Sequence, residues 1–240
     1  MKTRAFALAA WISACAHVET PREHALLLLA HGQTARGIAE LERIRDAHPD
    51  DPQAHIDLGH GYELAHRYDE ALASYDRAAD ARKSDPRGPR EGGLRCAAWG
   101  EHTAALPRLE EAVRRGDDDP STFHALGLVR LKLGDRNGAR AAYTAGLATA
   151  RGEKDATCVL GLATLAVVED DPKEALRWYE ELARRRPKHA GARLGAAWAL
   201  TRLGRHADAD AALGEAVELG ATPAETTKLR AWMKEQREKK

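Results

Sequence analysis

The stretch His55-Ile-Asp-Leu-Gly59-His-Gly-Tyr62, then Tyr68-Asp-Glu-Ala71, then Tyr75 and Ala78, decides the fold. Ala71, Tyr75 and Ala78 stand four and three residues apart, so they share one face of a helix. Gly59 sits in the run before them, far enough back to belong to a separate helix. A small residue in each helix lets two backbones approach at their crossing. A bulky residue one turn on fills the gap beside the crossing. The stretch therefore predicts two antiparallel helices joined by a short turn.

The same pattern recurs outward in both directions. Ala25, Gly59, Gly93, Gly127, Ala163 and Ala197 follow one another at intervals of 34, 34, 34, 36 and 34 residues. Twelve residues after each stands a second small residue: Gly37, Ala71, Ala105, Ala139, Ala175 and Ala209. Four further on are Leu41, Tyr75, Leu109, Tyr143, Tyr179 and Leu213, and three beyond those are Ile44, Ala78, Ala112, Gly146, Leu182 and Ala216. Gly32, Gly100, Gly134 and Gly204 occupy the turn, where glycine reaches the left-handed conformation that ends a helix. Pro52, Pro86 and Pro120 open new first helices, where the missing N–H has no partner to lose.

Six copies in register resemble the tetratricopeptide repeat. The resemblance implies an all-α, right-handed superhelical solenoid with repeats at 18–51, 52–85, 86–119, 120–155, 156–189 and 190–223. Residues 224–240 read as a capping helix with a basic tail, its stripe formed by Leu229, Trp232 and Met233. The charged remainder of that segment reads as a solvated face. Some positions depart from the family pattern. Arg130 stands at a usually apolar site, and Pro107 lies inside a second helix. Asp170-Asp171-Pro172 replaces a turn glycine, and two extra residues fall in the loop 151–155. The first repeat is the most degenerate.

Composition agrees with a helical, water-facing chain. Of 240 residues, 43% are hydrophobic and 31% charged, which is enough apolar matter for a core. Lys plus Arg equals Asp plus Glu at 37 each, so the basic excess that neutralises nucleic-acid phosphates is missing.

The beginning of the chain reads as an address. Lys2 and Arg4 precede the apolar run 5–12, which is far shorter than the ~20 residues needed to span a bilayer. Ile12-Ser13-Ala14-Cys15 then resembles the lipobox of bacterial lipoproteins. The resemblance implies a signal peptide over 1–14, lipidation of the Cys15 thiol and a short tether over 15–17. Ala16 after the cysteine resembles the signal for transfer to the outer membrane, which implies a periplasmic-face, lipid-anchored protein. The same residues also fit an ordinary cleaved signal, or an uncleaved first helix with no export.

Motifs of catalysis are missing from the sequence. It carries no HExxH, CxxC, GxSxG, P-loop or GxGxxG pattern. His55, His60 and His66 are spaced by five and six residues, which do not share a helix face, so no metal site is expected. Cys96 and Cys158 fall in first helices separated by a whole repeat, too far for a disulfide, and are expected to be half-buried free thiols. The acidic runs at 50–51, 117–119 and 170–171 precede prolines and read as helix starts. No cofactor is implied, and the reading is of a protein-binding scaffold rather than an enzyme.

In the tetratricopeptide family, first helices line a concave groove. The positions expected to face it are Leu26 and Leu29; Ile56, His60 and Glu63; Leu94 and Ala97; His124, Leu128 and Leu131; Leu160, Thr164 and Val167; Leu194, Trp198 and Thr201. Most are apolar, and a continuous exposed apolar strip marks a site for an amphipathic helix or an extended apolar segment. Some of these positions could instead pack under neighbouring helices. Lys and Asn, the carboxylate-gripping residues of chaperone-tail clamps, are missing from this set, and Asn137 lies outside it. Anchor, length and repeat number together resemble the pilotin lipoproteins of type IV pilus systems, including the lipoprotein of social gliding motility. That resemblance implies secretin subunits as partners, membrane contact through the anchor alone, no nucleic acid and a monomer. The alternatives are a general cell-envelope scaffold or assembly factor, or a cytosolic adaptor.

Overall fold

The computed structural model describes residues 20–149 and 155–239. The expected signal, Cys15 and the tether lie outside the described residues, as do 151–154 of the longer loop. The described residues form helices and their connections, without strands. First and second helices alternate: α1 (Pro21–Ala30) and α2 (Thr34–Ala47), α3 (Pro52–Leu64) and α4 (Tyr68–Ala81), α5 (Arg87–Ala98) and α6 (His102–Arg114). The series continues with α7 (Pro120–Lys132) and α8 (Arg136–Ala148), α9 (Thr157–Val168) and α10 (Pro172–Arg185), α11 (Ala190–Arg202) and α12 (His206–Glu218). A last helix, α13 (Pro223–Glu238), closes the stack.

Local chemistry sets these boundaries. Asp51, Asp119 and Asp171 each accept a hydrogen bond from a backbone N–H in the next first turn, at 3.0, 2.9 and 3.1 Å. The acidic runs thus start helices. Thr20 and Thr222 form the same capping box at the two ends of the stack, with Glu23 and Glu225 and a proline at the first turn. The four turn glycines have φ between +74° and +87°. Where a repeat lacks the glycine, His66 (φ +58°) and Asp170 (φ +56°) adopt the same left-handed conformation.

The repeat's small and large residues meet as their spacing requires. A Cβ on Gly59 would lie 2.5 Å from the Tyr75 ring, and one on Gly93 would lie 2.7 Å from Leu109. Tyr143 is held between Gly127 of its own repeat and Gly161 of the next, so one ring joins two repeats. Tyr75 and Leu41 are fully buried. Cys96 and Cys158 are free thiols and fully buried, rather than half-buried as expected, because each packs into a core cluster between repeats. Burial raises both thiol pKa values, that of Cys158 to about 11. Pro107 lies on the exposed face of α6, which runs through it. Arg130 satisfies its unusual position by donating to Glu110 at 2.8 Å and to the Gly138 carbonyl at 3.1 Å.

The two ends differ. At the far end Met233 is buried against α11 and α12, and Trp232 stacks on Trp198 with centroids 6.2 Å apart. Arg237 also reaches Asp210 at 2.6 Å. At the near end a cavity of about 770 Å³ opens beside Pro21, His24, Ile44 and His48. Among the described residues no helix precedes α1 to cover that end.

Candidate protein-binding groove

Successive first helices approach closely through their backbones from α1 to α9, as do α11 and α13, whereas successive second helices lie farther apart and meet only through long side chains such as Arg108 on Asp76. A stack whose neighbours lie closer on one side curves toward that side. The first helices therefore line the concave face. That close backbone approach lapses between α9 and α11, where α10 lies between them and Ala166 still shares a core cluster with Ala197 and Leu200.

Of the positions expected to face the groove, three do not. Leu29, Ile56 and Thr201 are only 7%, 4% and 2% exposed and belong to the core. The physical reason is the close approach of neighbouring helices: Leu29 packs against Gly37, and Ile56 joins the cluster around Leu41 and Tyr75. The Thr201 hydroxyl donates to Ala197 O within its own helix at 2.8 Å. Leu26, Leu94, Ala97, Leu128, Leu131, Leu160, Val167, Leu194 and Trp198 are half-buried, as are His60, Glu63 and His124. Thr164 alone of the set is exposed, and its hydroxyl is spent on Leu160 O at 2.9 Å.

The groove has two unlike halves. Between α3 and α5 the first helices meet through charge: Arg95 pairs with Glu63 at 3.1 Å and with Glu91 at 3.5 Å, and His60 approaches Glu91 at 3.5 Å. Burial pushes Glu91 up, but the His60 contact and the charges of His60, Arg90 and Arg95 outweigh it and hold the carboxyl below its usual range. His60 Nε2, Glu63 Oε1, Tyr75 Oη and Arg95 Nε are buried without a well-formed hydrogen bond, which leaves this seam under-satisfied. At its edge Arg22 grips Asp57 at 2.5 and 3.1 Å, and Gln53 links Asp57 to Arg87 at 2.8 and 2.6 Å. From α7 onward the corresponding positions are apolar: Val129 and Leu165 fill the place of Arg95. The half-buried row Leu128, Leu131, Leu160, Val167, Leu194 and Trp198 lies here, and burial lowers the pKa of His124 within it.

Of the polar seam, His60 and Glu63 were among the expected groove residues, whereas Glu91 and Arg95 were not. Arg95 aligns with Gly61, Val129 and Leu165, positions that the repeat uses for helix contact. The available signal was the opposite charge of Glu91 and Arg95 four residues apart, facing His60 and Glu63 one repeat earlier.

Two tetratricopeptide-repeat family models match the sequence, over residues 22–86 and 166–233. The chain belongs to the tetratricopeptide-repeat family. No curated protein matches it in sequence. Solved structures with the same fold include YrrB, described as a tetratricopeptide protein with an unusual peptide-binding site. That likeness has a TM-score of 0.66 and 19% identity, and covers 80% of this chain and 97% of that one. PilF of Pseudomonas aeruginosa superposes with a TM-score of 0.68 at 20% identity, covering 88% of this chain and 95% of that one. PilW, described as a widely conserved type IV pilus biogenesis factor, gives 0.69 at 14% identity, covering 87% and 96%. At such identities the likeness shows the fold. As a tetratricopeptide array, the chain is a protein-interaction scaffold whose concave face presents the two halves described above.

Among the described residues no group of His, Cys, Asp and Glu is arranged to hold a metal ion, and no helix is long and apolar enough to cross a membrane.

Proposed function

We propose that the chain is an outer-membrane lipoprotein, anchored through Cys15 on the periplasmic face, that assists secretin assembly for type IV pili. The observation that carries the binding part is the half-exposed apolar row from Leu128 to Trp198 on the concave face. Such a row shields an apolar segment of a secretin subunit until the subunit oligomerises, and the lipid keeps the row close to the membrane. PilF and PilW, with comparable length and architecture, support the pilus reading. Kinship with the social gliding motility lipoprotein Tgl in particular rests on anchor, length and repeat number alone.

Two measurements test it. Mass spectrometry of the membrane fraction is expected to find Cys15 as a lipidated N-terminal residue; an unmodified thiol there refutes the anchor. Deletion of the chain is expected to lower secretin multimers in envelope extracts, and undiminished multimers refute the pilotin role. The polar seam between α3 and α5 favours a second reading, a general cell-envelope scaffold whose partner carries charge. Multimers that persist while another envelope protein co-purifies would favour it.

A further inference from the structure

Away from the concave face, the turn edge between the second and third repeats carries a pocket of about 540 Å³. Tyr68, Asp69 and Leu72 at the start of α4 line one side, and Trp99, Glu101 and Ala104 line the other. The Tyr68 and Trp99 rings meet at 4.9 Å with their planes tilted by 58°. Tyr68 remains 45% exposed.

The repeat does not require these rings. At the other junctions the pairs equivalent to Tyr68 and Trp99 are Thr34 with Ala65, His102 with Leu133, Arg136 with Glu169, and Pro172 with Leu203. Every one of these junctions stacks without two aromatic side chains. The rings are thus an addition to one junction, and exposed ring faces attract cations.

The surrounding charge points the same way. Neither Asp69 nor Glu101 has an ion pair or side-chain hydrogen bond among the described residues. His66 meets Tyr68 edge-on, its Nδ1 3.0 Å from the hydroxyl, and the nearby arginines are engaged elsewhere. Arg67 lies 4.5 Å over the Tyr62 ring and pairs with Glu70 at 2.9 Å. Arg108 holds Asp76 with two bonds of 2.9 and 2.7 Å. The array itself supplies a parallel two repeats on, where Arg140, the equivalent of Leu72, pairs with Glu169, the equivalent of Trp99. A guanidinium fits that place in the fold.

We infer that the Tyr68–Trp99 pocket receives a cationic side chain, arginine or lysine, of a protein partner, with Asp69 and Glu101 supplying the counter-charge. This site is separate from the groove and does not rest on the pilotin reading.

The test is an NMR titration of the whole chain, following the Trp99 indole N–H, with acetyl-Gly-Arg-Gly-amide and the same peptide carrying neutral citrulline. The arginine peptide is expected to shift the Trp99 signal and to bind about two- to fivefold more tightly than the citrulline peptide. Tyr68→Ala, at an exposed position, is expected to weaken the arginine peptide by a similar factor. Asp69→Asn with Glu101→Gln is expected to abolish the salt dependence of binding. Equal binding of the two peptides, an unchanged affinity in Tyr68→Ala, or a Trp99 signal that does not move would each overturn the proposal. Tighter binding of tetramethylammonium than of the arginine peptide would overturn it in favour of a quaternary ammonium ligand.

Discussion

The two halves of the concave face use one backbone pattern and opposite chemistry. Between α3 and α5, Glu63, Glu91, Arg95 and His60 bridge neighbouring repeats, with Asp57 buried at the edge. Between α7 and α9, Phe123, Leu162 and Leu165 do so, with Tyr143 seated against glycines from both helices. The small-residue crossings set the spacing of the helices in each case. What differs is the tolerance for water and charge. An apolar seam is content when packed, whereas a polar seam needs each donor and acceptor met. The second half therefore suits an apolar partner segment, and the first half sets charge requirements on what lies across it.

The largest effect expected is the loss of a shared ring. Tyr143→Ala should cost about 3–5 kcal/mol in urea unfolding and uncouple repeats on either side of α8. Tyr75→Ala should cost a similar amount, but Tyr75→Phe should leave stability unchanged or raise it by up to about 1 kcal/mol, since the buried hydroxyl lacks a well-formed bond. A clear loss in Tyr75→Phe would mean that the polar seam is better satisfied than its geometry implies, and the contrast between halves would weaken.

Next come the ion pairs. Arg22→Met strands the Asp57 carboxylate, 5% exposed, with Gln53 as its remaining side-chain partner, and should cost about 1–2 kcal/mol because Arg22 itself is half in water. Arg202→Met removes a pair with Asp170 whose carboxylate is 62% exposed, and should cost less than about 0.5 kcal/mol. Equal losses would erase the distinction between buried and exposed links.

Acid should separate the halves further. The Arg87 guanidinium holds Asp85 below its usual range, and Glu91 is also depressed. A carboxyl depressed in the fold contributes stability above its unfolded value, and that contribution is lost as pH falls through the folded value, here below about 4. Hydrogen exchange at acid pH should thus lose protection in α3–α5 before α9 and α11. Glu181, held at about 2 by Arg184 and Arg185, pairs within one helix and does not join repeats. Earlier loss in α9 than in α3 would contradict this order. The smallest effect should be alike in both halves: His66→Gly and Asp170→Gly each relieve a left-handed turn and should raise stability by at most about 0.3 kcal/mol, because glycine's extra backbone entropy and, at 170, the lost pair with Arg202 offset part of the gain.

The crossings were legible in the sequence because small and bulky residues recur with one period, and each of those positions has a single steric duty. Helix starts were legible for the same reason, since Asp51, Asp119 and Asp171 each cap the first turn of the helix that follows. The groove was legible only in part. A register marks which way a residue points along its own helix, but Leu29 and Ile56 are buried by how closely the next helix lies. The charged seam and the Tyr68–Trp99 pocket depend on residues that depart from their equivalents in the other repeats, so periodicity cannot reveal them.

The concave apolar row as the partner site is tested most directly by photocrosslinking in intact envelopes. A photoreactive residue is placed at Leu128, in the groove, or at Thr144, on the exposed face of α8. A discrete adduct with secretin subunit is expected from position 128 and not from position 144. An adduct from position 144 with none from position 128, or equal yields from both, would contradict the groove as the site of binding.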